Sequence, residues 1–250
     1  MTFSLAGRVA LVTGSSTGLG KGTAAVLARA GAKVAINYFN NQQRAQAALD
    51  ELSNDGECAL VRGDVSCKEG VEQVFAEAES SLGKVDIVVV NATPDQPELP
   101  IEEYDWEFYQ QMLDFFVRSP YLLSLRALPH MKQQKWGRII NITSEVFHGS
   151  VAPFSAYVAA KGGQIGWSRS MAKELAPFGI TVNTIAPGWI PVERHESAPQ
   201  DAKAAYLAGT PAGRWGTPED VGNAALYYAS EEASFVSGQT LCVNGGRTPW

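Results

Sequence analysis

Arg8-Val9-Ala10-Leu11-Val12-Thr13-Gly14-Ser15-Ser16-Thr17-Gly18-Leu19-Gly20, continuing into an alanine-rich run that ends at Ala30, decides the fold. Arg8 to Thr13, apolar from Val9 to Val12, gives a strand signal, the glycines a turn, and the alanines a helix. A glycine-rich turn between a buried strand and a helix lets backbone amides approach a pyrophosphate, and the helix dipole favours its negative charge. Outward from this unit the alternation repeats. Strands are expected at 8–13, 33–38, 59–62, 86–91, 138–143, 181–185 and 239–243, with helices at 18–30, 42–53, 68–82, 106–134, 155–176 and 218–230. The strand runs are apolar throughout rather than at every second residue, which suits a parallel sheet covered on both faces.

The expected fold class is therefore α/β, a doubly wound Rossmann sheet of seven parallel strands with helices on both faces and ligands at the carboxyl ends of the strands. A chain of 250 residues with 45% hydrophobic content can bury one large core, so a single domain over 1–250 is expected. The one long irregular stretch, 189–216, contains Pro191, Pro199 and Pro211. Irregular stretches of that length are functional lids or disordered, and its place after the sixth strand favours a substrate lid.

Composition narrows the function. The net charge of -6 comes without a basic stripe, so neither nucleic acid nor a charged membrane surface is expected as a partner. No apolar run reaches membrane-spanning length, and residues 1–7 lack the features of a signal peptide, so a cytoplasmic protein is expected. Cys58, Cys67 and Cys242 read as free thiols, and the three His residues show no zinc spacing, so no metal is expected. His130, at a helix end, reads as structural. The two Asn-x-Thr triplets at Asn91 and Asn141 fall at strand ends and carry no glycosylation meaning in that compartment.

Chemistry is suggested by the stretch from Ser144 to Lys161. Tyr157 and Lys161 are four apart in a helical run, which puts an ammonium one turn from a phenol. A neighbouring positive charge lowers a phenol's pKa toward the working range of a general acid or base. Ser144, at a strand end, can hold a substrate oxygen while Tyr157 exchanges the proton.

Together these segments resemble the short-chain dehydrogenase/reductase family. The resemblance covers nearly the whole chain. It rests on Gly14-x-x-x-Gly18-x-Gly20, Asp64-Val65, Asn91-Ala92, Ser144, Tyr157-x-x-x-Lys161, the run from Asn183 to Pro187-Gly188, and Asn244-Gly245-Gly246. It implies a hydride transfer between a nicotinamide and a carbonyl or secondary alcohol of a small-molecule substrate, with Ser144, Tyr157 and Lys161 catalytic. It also implies cofactor contacts from Gly14, Ser16, Thr17, Gly18, Leu19, Gly20, Asn37, Tyr38, Asp64, Val65, Asn91, Ala92, Pro187, Gly188 and Ile190, besides Tyr157 and Lys161. The most generic activity is reduction of a 3-oxoacyl thioester or similar ketone. The alternatives are a sugar or polyol 1-dehydrogenase and, from another class, a cofactor-binding protein with little turnover. The resemblance also implies that the helices at 106–134 and 155–176 pair with their symmetry mates in a homotetramer; the run Met112, Leu113, Phe115, Phe116, Tyr121, Leu122 and Leu123 suits that role, and burial against the protein's own sheet explains part of it equally well.

Cofactor choice turns on the end of the second strand, about 20 residues past the glycines, where an acid would bind the ribose of NAD. Asn37-Tyr38-Phe39-Asn40 has none, so NADP is allowed. The Arg common in NADP-preferring relatives is also missing, at Thr17 and Phe39. The run from Thr13 to Lys21 is similar to that of bacterial glucose 1-dehydrogenases, which accept both cofactors. NADP is expected, with NAD as a second cofactor.

Three positions depart from the family pattern. Phe116 stands where the family carries a proton-relay Asn, leaving only backbone carbonyls to hold a relay water. Thr93 replaces a Gly beside the nicotinamide pocket, and Val192 replaces a cofactor-binding Thr. For the substrate, Glu145, His148, Trp189 and Glu193 are expected to line the pocket, with Thr93, Asp95 and His195 nearby. Carboxylates and indole faces would suit hydroxylated substrates.

Overall fold

The computed structural model describes residues 3–249. Met1, Thr2 and Trp250, the extremes of the expected domain, lie outside the described residues. Seven parallel strands form one sheet: β1 (Val9–Val12), β2 (Lys33–Tyr38), β3 (Cys58–Arg62), β4 (Ile87–Val90), β5 (Gly137–Ile142), β6 (Ile180–Pro187) and β7 (Thr240–Val243). Their order is β3-β2-β1-β4-β5-β6-β7. The chain reverses its direction of winding between β1 and β4, where Val12 pairs with Ile36 on one side and Val89 on the other. That crevice is where doubly wound sheets bind ligands.

All four residues of β1 and of β4 are buried, because both faces of the sheet are covered. On one face, α1 (Gly18–Arg29) and α2 (Gln42–Leu52) pack with α9 (Pro218–Ala229), burying Leu27, Leu52, Val221 and Tyr228 against Val12 and Ile36. On the other, α3 (Lys68–Ser81), α5 (Ser119–Gln134) and α7 (Ser155–Leu175) bury Phe75, Leu123, Met131 and Leu175 against Leu11, Val88 and Ile139. His130 bonds Asp86 at 3.1 Å near the amino ends of the strands, a structural contact.

The helix expected over 106–134 is interrupted. α4 (Trp106–Leu113) passes into a π-helical turn (Asp114–Arg118), then α5. Pro120 has no N–H to return to the Phe116 carbonyl four residues back, and Ser119 bonds the Asp114 carbonyl five residues back instead. The widened turn seats the Phe116 ring inside, 1% exposed. Two helices lie where none was expected: α6 (Glu145–Gly149) and α8 (Gln200–Ala208). The stretch 189–216 is thus partly helical, and its prolines punctuate rather than abolish order. Of the run that suits either a subunit interface or the protein's own sheet, Met112, Phe116 and Leu123 are buried in the core and Tyr121 is exposed. Trp106 and Leu125 stand exposed near it on α4 and α5.

Candidate active site

The glycine turn is shaped by close approach. Gly14 and Gly18 both have positive φ, and a side chain on Gly14 would place Cβ 2.8 Å from the Ala92 backbone. Two asparagines fix this geometry. Asn37 accepts from the Gly14 amide at 3.1 Å, and its own amide donates to the Val61 and Gly63 carbonyls. Asn91 donates to the carbonyls of Thr13 and Gly14. Both side-chain amides are engaged by the protein's own backbone and mould the turn.

Ser16 is buried at this turn, while Thr17, at the start of α1, and Leu19 are half-buried. Beyond them, Asp64 accepts from the Ser66 amide and hydroxyl at 2.9 and 2.7 Å, beside buried Val65. Tyr38 is half-buried at the end of β2.

The amide of Gly18 donates to a carboxylate oxygen of Glu193 at 3.1 Å, and Thr17 also bonds that side chain. This carboxylate stands in for an anionic phosphate oxygen at the helix N-terminus. The turn's donor set therefore fits the pyrophosphate of a dinucleotide. Burial pushes the Glu193 carboxyl up, but hydrogen bonds from its own backbone, Thr17 and Gly18, with Lys21 nearby, outweigh that and hold it below its ordinary range. Glu193 was expected on the substrate; it lies on the cofactor turn.

Across the crevice, Ser144 caps α6 and hydrogen-bonds Tyr157. Tyr157 is 8% exposed, packed tilted against Phe154 and edge-on to Phe116. Lys161 lies one turn on, its ammonium donating to the Ile142 carbonyl at 2.7 Å and the Gln164 side-chain carbonyl at 3.1 Å. Nζ also sits 3.6 Å from the centre of the Phe116 ring. The ring closes one side of the ammonium at the position expected to have lost its relay Asn.

The electrostatics correct one expectation. Burial raises the Tyr157 phenol above its ordinary value, against the opposing Ser144 hydrogen bond and the Arg194 guanidinium. Burial also pushes Lys161 well below its ordinary value, aided by Arg194. Burial, rather than the neighbouring ammonium, sets the direction of the phenol's shift. The phenol therefore favours its protonated form.

Glu145, expected on the substrate, is buried and accepts a hydrogen bond from the Tyr206 hydroxyl on α8. The same hydroxyl accepts from the Trp189 amide at 2.7 Å. Trp189 meets Tyr206, Trp215 and His195 edge-on, while Tyr206 and Trp215 stack. These contacts tie 189–216 down over Pro187, Gly188 and buried Ile190 at the end of β6. His148 lies against Phe147, and burial lowers its pKa. His195 is engaged within its own turn, and Thr93 and Asp95 are exposed. Among the described residues no cluster of metal-binding side chains occurs, and the three cysteines are free. No helix among them is long and apolar enough to cross a membrane.

The family described as enoyl-(acyl carrier protein) reductase matches residues 14–248. The chain belongs to the short-chain dehydrogenase/reductase family. It is an NAD(P)-dependent oxidoreductase, moving a hydride between nicotinamide and a carbonyl or secondary alcohol. The chain is 39% identical to the 3-oxoacyl-acyl-carrier-protein reductase FabG of Vibrio cholerae over 97% of its own length and 98% of that protein's. It is 37% identical to the Aquifex aeolicus FabG, covering 98% and 99%. A solved structure from Agrobacterium tumefaciens, provisionally named a gluconate dehydrogenase, superposes with a TM-score of 0.91 at 32% identity, covering 100% and 99%.

Three residues of this reductase-family site were missed in sequence. Arg62 pairs in register with Tyr38, and its Nε donates to the Phe39 carbonyl at 3.3 Å, bringing a cation to the end of β2. The β2–β3 register was the signal. Arg194, in the turn Glu193–His195, is exposed and bonds His195, and its charge acts on Tyr157 and Lys161 from a distance. Gln164 was passed over as a polar helix residue, although it lies seven residues after Tyr157, on the same face.

Proposed function

We propose that the protein reduces a 3-oxoacyl thioester or similar ketone with NADPH, in the cytoplasm, as a homotetramer of single-domain subunits with 189–216 as substrate lid. The observation that carries this reading is the buried Ser144–Tyr157 hydrogen bond, with the phenol held protonated. The glycine turn and the crevice side chains would hold the dinucleotide, which supplies the hydride when bound. Ser144 then holds the carbonyl oxygen by hydrogen bond, and Tyr157 gives its phenolic proton to that oxygen. Lys161 keeps a positive charge beneath the phenol as it becomes negative.

Relatives named as 3-oxoacyl reductases at 37–39% identity support the substrate class. Glu145 is already engaged by Tyr206, which removes the carboxylate best placed to read sugar hydroxyls and weighs against the sugar reading. Arg62, with no acid at Asn37 or Tyr38, supports NADP. Exposed Trp106, Tyr121 and Leu125 on α4 and α5 support self-association. The test is a panel of 3-oxoacyl thioesters, simple ketones and sugars assayed with each cofactor in both directions. Turnover confined to sugars with NAD would refute the reading.

A further inference from the structure

We propose that Gln164 is a positioning residue that holds the Lys161 ammonium beneath Tyr157, an inference that rests on the catalytic reading above. The inner face of α7 carries Tyr157, Lys161, Gln164 and Ser168 in one stripe, 8%, 3%, 0% and 1% exposed. Such a stripe is ordinarily apolar. Its polar members are chained: the Ser168 hydroxyl donates to the Gln164 backbone carbonyl at 2.7 Å, and Asn141 on β5 donates to Ser168 at 2.8 Å. The Asn141 bond ties α7 to β5 one turn beyond Gln164, and the i,i+3 spacing on the helix sets Gln164 beside Lys161.

The two ends of the Gln164 amide are treated differently. Oε1 accepts from Lys161, whereas Nε2 is buried without a protein partner among the described residues. An unpaired buried amide N–H destabilises a fold, so an apolar side chain of equal size would serve packing better. The oxygen is the part that has a use. With the Ile142 carbonyl and the Phe116 ring face it gives the three N–H groups of the ammonium three partners. A buried charge needs such a shell in place of water.

The titratable or charged groups facing this ammonium are Tyr157 on its own helix and Arg194 from the lid. Strand β5 contributes the Ile142 carbonyl, the following cap Ser144, and the π turn Phe116, all uncharged. Among the described residues no carboxylate supports the charge, so the amide oxygen matters. Without it Lys161 gives up its proton more readily, and the charge that would stabilise a phenolate is lost.

The test replaces Gln164 with Met, which keeps the length and removes the amide, with Gln164→Leu as a second variant and Gln164→Glu retaining an oxygen. The ionisation of Tyr157 is read in the cofactor-free protein by ultraviolet difference titration against Tyr157→Phe. kcat and KM of the complete enzyme are followed across pH for an accepted substrate. Both are repeated in a Lys161→Met background. We expect Q164M to melt no lower than the parent, and its Tyr157 transition to move up by about one pH unit. Oxidation should slow about tenfold at neutral pH at unchanged KM. Neither change should appear in the Lys161→Met background. An unmoved transition, a shift that persists undiminished without Lys161, or failure of both apolar variants to fold while Gln164→Glu folds would each overturn the proposal. A shifted transition in a protein that turns over no substrate would uphold the positioning role and defeat the proposed reaction instead.

Discussion

The Glu193 carboxylate lies on the Gly18 amide, at 3.1 Å, where the first turn of α1 offers its free N–H groups. If the dinucleotide phosphate takes this donor, as proposed, its binding displaces one anion by another. Glu193→Gln keeps the side chain's shape and removes the charge. A charge-assisted hydrogen bond is worth roughly 1.5–3 kcal/mol, less at this exposed position, so dinucleotide affinity should rise about fivefold. Fluorescence titration with NADPH measures it. Weaker binding by the variant would mean that Glu193 assists the cofactor. The depressed Glu193 pKa sets the pH window: the carboxylate competes above its ordinary value and loses its charge only as pH falls through the lower folded value.

Tyr157→Phe should lower kcat by about 100- to 10,000-fold while leaving dinucleotide affinity intact, because the ring packing is kept and only the moving proton is removed. The raised phenol pKa also fixes the sign of the pH dependence. Reduction needs the protonated phenol, which is present below its pKa, so reduction should hold through neutral pH and decline only on the alkaline side. Oxidation needs the phenolate and should climb over the same range. A reduction rate that rises with pH would contradict the assignment of Tyr157 as donor.

Much of this arrangement was legible in the sequence because the strands are continuous apolar runs, and the turn and the Tyr157–Lys161 spacing are local. What escaped depends on relations between elements. The break at Phe116 needed Pro120 to be read as a missing bond four residues back. Helix α8 was hidden by flanking prolines, although Pro199 directly before Gln200 suits a helix start. The contacts of Glu145 and Glu193 depend on where residues 189–216 fold down, which no local pattern encodes. The phenol's raised pKa arises from burial, a property of the assembled core.

Tyr206 anchors α8 to Glu145, two groups from segments separated by 61 residues. Tyr206→Phe deletes the hydroxyl and leaves a buried carboxylate and the Trp189 amide each short of a partner, costing about 1–3 kcal/mol. Hydrogen exchange across 200–208 should accelerate, and KM should rise more than kcat falls. Unchanged exchange would show that the aromatic stack of Trp189, Tyr206 and Trp215 holds the lid without this bond.

Leu125→Glu places a charge on the apolar patch that includes Tyr121 on the outer face of α5. Leu125 is 52% exposed, so the subunit should fold unaltered while association weakens. Sedimentation at micromolar concentration should show a tetramer for the parent and smaller species for the variant. A parent that sediments as a monomer would defeat the assembly reading.

The last prediction concerns Arg62 and the 2′-phosphate. The β2–β3 register sets Arg62 beside Tyr38, and its bond to the Phe39 carbonyl holds the guanidinium at the end of β2. An Arg at this end accommodates a 2′-phosphate, whereas an acid would bind the ribose diol of NAD. Arg62→Gln should therefore weaken NADPH binding about tenfold, within the span of a charge-assisted contact, and leave NADH unaffected. Tyr38→Asp should shift the ratio of kcat/KM further toward NAD by repelling the phosphate, and Thr17→Arg should shift it back toward NADP. All three shifts should shrink with added salt, since Arg62 is exposed. If Arg62→Gln weakened both cofactors equally, Arg62 would be acting on the strand ends as a whole. If it weakened neither, the choice would have to be made elsewhere in the crevice.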